Sequence, residues 1–336
     1  MNAASSLLLT LAPILGGGLP APVPATAEFG RWFTAASAGT LRIPGAVERE
    51  SRRFRYVFVG GFCNERLPGY FAQNARELRA RGIPRRSIHF VFPSSHEAIE
   101  ANFAEVRARF LAIAREGPEE LVIIAHSRGA CDALAFALRD GAFVRDRVHA
   151  LFLVQGPFGG TGLADYVTGE GPPLDRRMPL RLRIVAHLAG RVERYVLGRG
   201  KHGGLPEMTR RASRAFWGRM LAEHADAIPL VGPKTFYITT ATRASRLRFV
   251  QRATAWYLRI HYGPNDGMVA AADQSLAGVG TILATLDAGH TDLTNPFPTG
   301  RAGRRFRRAL VQGILMAVGN PATATDDPRT VAAGSR

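Results

Sequence analysis

The sequence predicts an α/β fold, a mostly parallel central sheet with helices on both faces, and three observations lead there. Short β-rich runs and helical patterns alternate between residues 54 and 154, as parallel strands joined by crossover helices require. The run Leu121–Ala125 (LVIIA) is apolar throughout, which suits a strand buried on both faces. It leads through His126-Ser127-Arg128-Gly129 directly into an alanine-rich stretch, giving strand, sharp turn and helix in succession.

In chain order, FRYVFVGG from Phe54 to Gly61 reads as a buried strand ending in a tight loop. Apolar residues at helical spacing (Phe71, Ala75, Leu78) predict a helix over 70–81, stopped by Gly82-Ile83-Pro84. A second strand is expected over 87–92, and an amphipathic helix over 96–115 with Ile99, Phe103, Val106 and Phe110 on one side. LVIIA is the third strand, 129–138 a helix and 148–154 the fourth strand. The alternation then lapses. Residues 156–232 carry GPFGGTG, GEGPP, GRGKHGG and a helix-like stretch over 206–227, and read as a lid-like insertion over the sheet edge. Strands are expected again at 235–240, 255–260 and 281–286, then a last helix at 302–318 and a loose polar tail over 321–336. The main domain is thus expected over 50–320, and no internal repeat is visible.

Hydrophobic residues make up 46% and charged residues 21% of the 336 positions, enough apolar material for a large core without disulfide or metal staples. Cys63 and Cys131 are the only cysteines, which excludes a cysteine-rich scaffold and a Cys-based zinc site. The net charge is +17, nearly all arginine, with Lys201 and Lys234 the only lysines. The arginines are spread along the chain and accompany no nucleic-acid-binding module, so no nucleic-acid partner is expected. Weak association with an anionic membrane surface is the better use of such charge. At the amino terminus, residues 3–19 are apolar and uncharged, and Ala25-Thr26-Ala27 offers an A-x-A cleavage pattern. Residues 1–27 therefore read as an export signal, hence a periplasmic or secreted protein, or else as a disordered leader on a cytoplasmic one. Pro13 and Gly16–Gly18 interrupt the run and argue against a spanning helix.

A serine hydroxyl is a poor nucleophile unless it is exposed at a strained apex beside a base. Ala125-His126-Ser127-Arg128-Gly129 supplies such an apex, with small residues two positions either side of Ser127 so that the backbone can fold sharply. The alternative is a serine that merely caps the helix. Two later segments offer partners in the order acid, then histidine: Asn265-Asp266-Gly267 in a glycine-bounded turn, and Gly289-His290-Thr291-Asp292 after an expected strand. His290 would accept the serine proton on Nε2 while Asp266 holds Nδ1. Asp273, Asp287 and Asp292 are rivals to Asp266. An oxyanion needs backbone N–H groups already aimed at it; Arg128, next to the serine, offers one, and Phe62, after Gly60-Gly61, the other. This makes the chain a serine hydrolase candidate with no cofactor.

With these segments aligned, the chain resembles bacterial triacylglycerol lipases of the α/β-hydrolase fold. Val59-Gly60-Gly61-Phe62 is similar to that family's oxyanion loop, with glycine where histidine is usual, and residues 125–129 to its nucleophile elbow. Residues 156–166 (GPFGGTGLADY) resemble its P-H-x-G-[ST]-x-x-A-D segment, with Phe158 in place of histidine, and the Asp266 and His290 loops resemble its acid and histidine blocks. The resemblance implies ester hydrolysis through an acyl-enzyme, with lipid or acyl esters preferred and an acyltransferase, thioesterase or non-catalytic binding protein as alternatives. Phe62, Phe158, Leu163 and Tyr166 would contact substrate, or else the aromatics of the insertion anchor its own core. Asp292 stands where several such lipases hold calcium, but residues 229–265 contain no Asp or Glu, so no metal is expected.

Overall fold

The computed structural model describes residues 25–62, 64, 68–95, 97–174, 179, 204–247, 249–294 and 301–319. The expected leader before residue 25, nearly all of 175–203 and the tail from 321 lie outside the described residues. Among the described residues six strands form one parallel sheet: β1 (Arg55–Val59), β2 (Ile88–Val91), β3 (Leu121–His126), β4 (Val148–Val154), β5 (Thr235–Thr240) and β6 (Thr281–Leu286), in the order β2-β1-β3-β4-β5-β6.

Side chains alternate across each strand, so every central strand feeds two cores. Val57, Val59, Ile123, Ala125, Leu151, Leu153 and Tyr237 face one side. There they meet helices α4 (Ile99–Arg115), α5 (Arg128–Arg139), α6 (Gly141–Arg147), α8 (Arg210–Glu223) and α9 (Ile228–Val231). Tyr56, Phe58, Val122, Ile124, Phe152, Val154 and Ile238 face the other, against α1 (Ala25–Ala38), α3 (Ala72–Ala80) and α11 (Arg301–Gly319). Between α1 and α3 lies the short helix α2 (Gly45–Ser51), which packs on α11. The core starts ahead of residue 50, because Phe29 and Phe33 of α1 are buried in it.

α5 is buried from Arg128 to Leu138 and follows β3 with Ser127 alone between them. Alanine at four of its twelve positions makes that possible, being the best helix former and small enough to lie flat under a sheet. The second half of the predicted insertion belongs to the same layer, since Phe216, Trp217 and Met220 of α8 and Val231 of α9 sit in the α4–α5 core. Threonine caps open both helices that flank the undescribed stretch. Thr161 accepts from Leu163 N at the start of α7 (Gly162–Thr168), and Thr209 from Ala212 N at the start of α8.

One element differs in kind from the sequence reading. Residues 255–260, expected as a strand, are the middle of helix α10 (Phe249–Tyr262). Thr254, Trp256 and Tyr257 give the segment a β-rich look, yet its buried residues are Ala253, Thr254, Ala255, Tyr257 and Leu258, two clusters one helical turn apart. Tyr257 and Leu258 pack on Leu163 and Tyr166 of α7. Among the described residues no helix is long and apolar enough to cross a membrane.

Candidate active site

β3 ends beneath the loop that follows β1, and the two backbones touch. A Cβ on Gly129 would stand 2.3 Å from Gly60 O, and one on Gly61 would stand 2.7 Å from both Ser127 Cβ and His126 O. Only glycine permits so close an approach. Between these contacts Ser127 takes φ 55° and ψ −133°, a strained conformation held because its surroundings fix it. Ser127 N donates to Val154 O of β4, and Ser127 O accepts from Ala130 N, both at 2.9 Å.

The hydroxyl makes no helix-capping bond. Ser127 Oγ instead lies 2.9 Å from His290 Nε2, and His290 Nδ1 lies 2.8 Å from Asp266 Oδ2. These partners select the tautomer in which Nδ1–H donates to the carboxylate and bare Nε2 accepts from the serine. The structure thus brings together Ser127, Asp266 and His290 from three separate loops. Asp266 reaches the site after α10, a turn-following position where the sequence reading expected a preceding strand.

Asp266 is fully buried and ringed by donors. Its Oδ2 accepts from His290 Nδ1, Gln155 Nε2 (3.1 Å), Thr240 Oγ1 (3.1 Å) and Gln274 Nε2 (3.2 Å). Its Oδ1 accepts from the Met268 and Val269 amides at 2.9 and 2.8 Å. The main chain joins acid and base a second time, His290 N donating to Asp266 O at 2.9 Å. The rival carboxylates are engaged elsewhere. Asp273 pairs with Arg210 at 3.1 Å, Asp287 accepts from Thr242 on the surface, and Asp292 Oδ2 folds back on Gly289 N at 2.9 Å. Burial raises the Asp292 carboxyl, with the Gly289 amide and Arg307 opposing the shift.

Of the two expected oxyanion donors, Arg128 N opens α5 and Phe62 N lies in the loop after β1; neither donates to a described residue. The intervening amide is used differently, Gly61 N donating to Tyr70 Oη at 3.2 Å. Arg128's side chain turns away and is buried, bonding Ser94 O at 2.6 Å and Glu97 O, with Glu207 3.9 Å away.

The expected substrate contacts divide. Phe62 is half-buried beside the elbow. Phe158 is a correction: its ring is 1% exposed, packed on Trp217 and Tyr237 at centroid distances of 5.3 Å, and so belongs to the core under α8. Leu163 likewise packs in the small α7–α10 core, and Tyr166 is partly buried against Tyr257 at 5.3 Å. The reading in which these residues anchor the insertion is the one their packing favours.

Sequence reasoning missed Tyr70, Gln155, Thr240 and Gln274. Gln155 left a trace, as the first polar residue after the apolar run Ala150–Val154, and Thr239-Thr240 likewise end β5. Tyr70 and Gln274 left none.

A parallel sheet with a strained serine after its third strand and acid and histidine in later loops is the α/β-hydrolase fold. Solved structures agree. The metagenomic carboxyl esterase MGS0156 superposes with a TM-score of 0.57 and 19% identity, covering 90% of this chain and 96% of that one. The mature form of the Bacillus licheniformis lipase BlEst2 gives 0.51 and 18%, covering 78% and 88%. No protein-family model and no curated protein sequence matches the chain.

Proposed function

We propose that the chain is a serine hydrolase of carboxylic esters that works through an acyl-enzyme. The observation that carries this reading is the chain of contacts from Ser127 Oγ to His290 Nε2 at 2.9 Å and from His290 Nδ1 to Asp266 Oδ2 at 2.8 Å, on a serine held in a strained elbow. Ser127 attacks the ester carbonyl as Nε2 takes its proton, and the buried carboxylate of Asp266 stabilises the imidazolium that forms. The Arg128 and Phe62 amides receive the oxyanion. The imidazolium returns its proton to the leaving alcohol, whose departure leaves the acyl group on Ser127. Water, deprotonated by the same histidine, then releases the acid.

Acyl or lipid esters are the preferred substrates, and the resemblance of the motif blocks to bacterial lipases supports that choice. The test is hydrolysis of p-nitrophenyl esters from acetyl to palmitoyl, with fluorophosphonate labelling, for wild type and Ser127→Ala. Loss of about 10⁴-fold or more in the variant is expected, with activity rising toward long chains. A preference for short chains would keep the nucleophile and remove the lipid. Wild-type protein that neither hydrolyses nor labels would leave a binding protein.

A further inference from the structure

We infer that Tyr70, His126 and Gln155 are positioning residues, a buried hydrogen-bonded chain that ties the loop carrying Phe62 to the His290–Asp266 pair; this rests on Ser127 as nucleophile. The chain runs from Gly61 N to Tyr70 Oη (3.2 Å), from Tyr70 Oη to His126 Nδ1 (2.5 Å), and from His126 Nε2 to Gln155 Oε1 and His290 O (both 3.0 Å). It ends where Gln155 Nε2 meets Asp266 Oδ2 and Gly289 O, at 3.1 and 3.2 Å.

The ends dictate the direction of every bond. His290 O can only accept, so His126 carries its proton on Nε2. Nδ1 is then bare and accepts from the Tyr70 hydroxyl, whose oxygen is left to accept from Gly61. At the other end a carboxylate and a carbonyl face Gln155, so its NH₂ points to them and its oxygen to His126. Burial, reinforced by nearby His290, lowers His126 to about 3, so the ring stays neutral and its polarity fixed.

Backbone strain marks the same path. Among the described residues three non-glycine positions have positive φ: Ser127 itself (55°), Gln155 (55°) and Phe71 (60°), the neighbour of Tyr70. Phe71 N in turn donates to Thr294 O, just past the histidine loop. Strain of this kind persists only where surrounding contacts over-determine the backbone. Here those contacts set the base and the oxyanion-side loop relative to each other, a relation on which reaction geometry depends steeply.

The test is a double-mutant cycle on p-nitrophenyl butyrate. Tyr70→Phe and Gln155→Met change the two opposite ends of the chain, which meet at His126. Each should lower kcat about tenfold with KM within about twofold. The double variant should fall about tenfold to thirtyfold, short of the about hundredfold that independent sites would give. Additive losses, or altered KM with kcat intact, would overturn the proposal, as would lower thermal midpoints with unchanged kcat. A second readout does not need turnover: histidine-ring nitrogen NMR, with His126→Asn identifying the signal. The ring should be the neutral Nε2–H tautomer in wild type and lose that lock in Tyr70→Phe. An Nδ1–H tautomer, or titration near the ordinary value of about 6.5, would dismantle the chain whatever the activity. A wild type inert to ester and fluorophosphonate would instead sink Ser127, and the positioning role with it, while the ring spectrum still judges the bonding.

Discussion

Asp266 and Asp132 are both carboxylates buried near the elbow, in opposite surroundings. Asp266 receives six hydrogen bonds, two of them from main-chain amides. Asp132, on the second turn of α5, accepts from Asn102 Nδ2 at 3.1 Å, and burial pushes its carboxyl up to about 6 against the pull of Arg128. A polar atom on that side also goes unanswered: among the described residues Arg128 Nε is buried without a hydrogen-bond partner. The difference separates two uses of a buried charge. A carboxylate that, in the proposed mechanism, faces an imidazolium is surrounded by donors that fix its orientation. One that fills the junction between α4, α5 and the segment around Glu207 is left under-solvated, at a cost to the fold.

The contrast can be broken most severely at the acid itself. Asp266→Asn should lower kcat about 10⁴-fold by losing the tautomer and the charge; a loss within tenfold in steady-state assays would erase the distinction. Next comes Gln274→Met. It removes one donor to Asp266 and strips Thr240 N of its acceptor at 2.6 Å. Urea unfolding should show a loss of about 2 kcal/mol, with a smaller fall in kcat.

On the other side the sign reverses. The Asp132 carboxyl sits above its unfolded value of about 3.9, so the folded chain holds the proton more tightly. The group therefore weakens the fold as pH rises from about 4 through about 6, and the penalty is complete above that. Asp132→Asn keeps an oxygen for Asn102 and should stabilise the protein by about 1–2 kcal/mol at pH 8, the gain fading toward pH 4. Thermal midpoints across that range check it, and a variant weaker than wild type at pH 8 would mean that pairing with Arg128 outweighs desolvation. Smallest is Glu207→Gln. The amide keeps an oxygen for Ile99 N, bonded at 2.8 Å, and loses only a charge 3.9 Å from Arg128, a change of less than about 1 kcal/mol by chemical unfolding.

The elbow was legible because its cause is local: an unalternated apolar strand, then small residues around a serine, announces a sharp turn wherever it stands. The Asp266 and His290 loops were legible for the same reason, each being a polar residue beside a glycine after an apolar stretch. What surrounds them was not. Met268, Val269 and Gln274 reach Asp266 from its own stretch of chain, but Gln155 and Thr240 join them only because the sheet order sets β4 beside β5, and nothing in their spacing says so. α10 was misread because its composition favours a strand while its burial follows a helix. Phe158 was misassigned because a motif places a residue near a loop without saying which way its ring faces.

The bond from His290 N to Asp266 O means that the acid and base loops share main chain as well as side chain. They form one structural unit although they lie 24 positions apart in the chain. Recombination or loop grafting that exchanges residues 264–269 without 289–292 splits that unit. Chimaeras of this protein should therefore retain function when a crossover falls before both loops or after both, and lose it when it falls between.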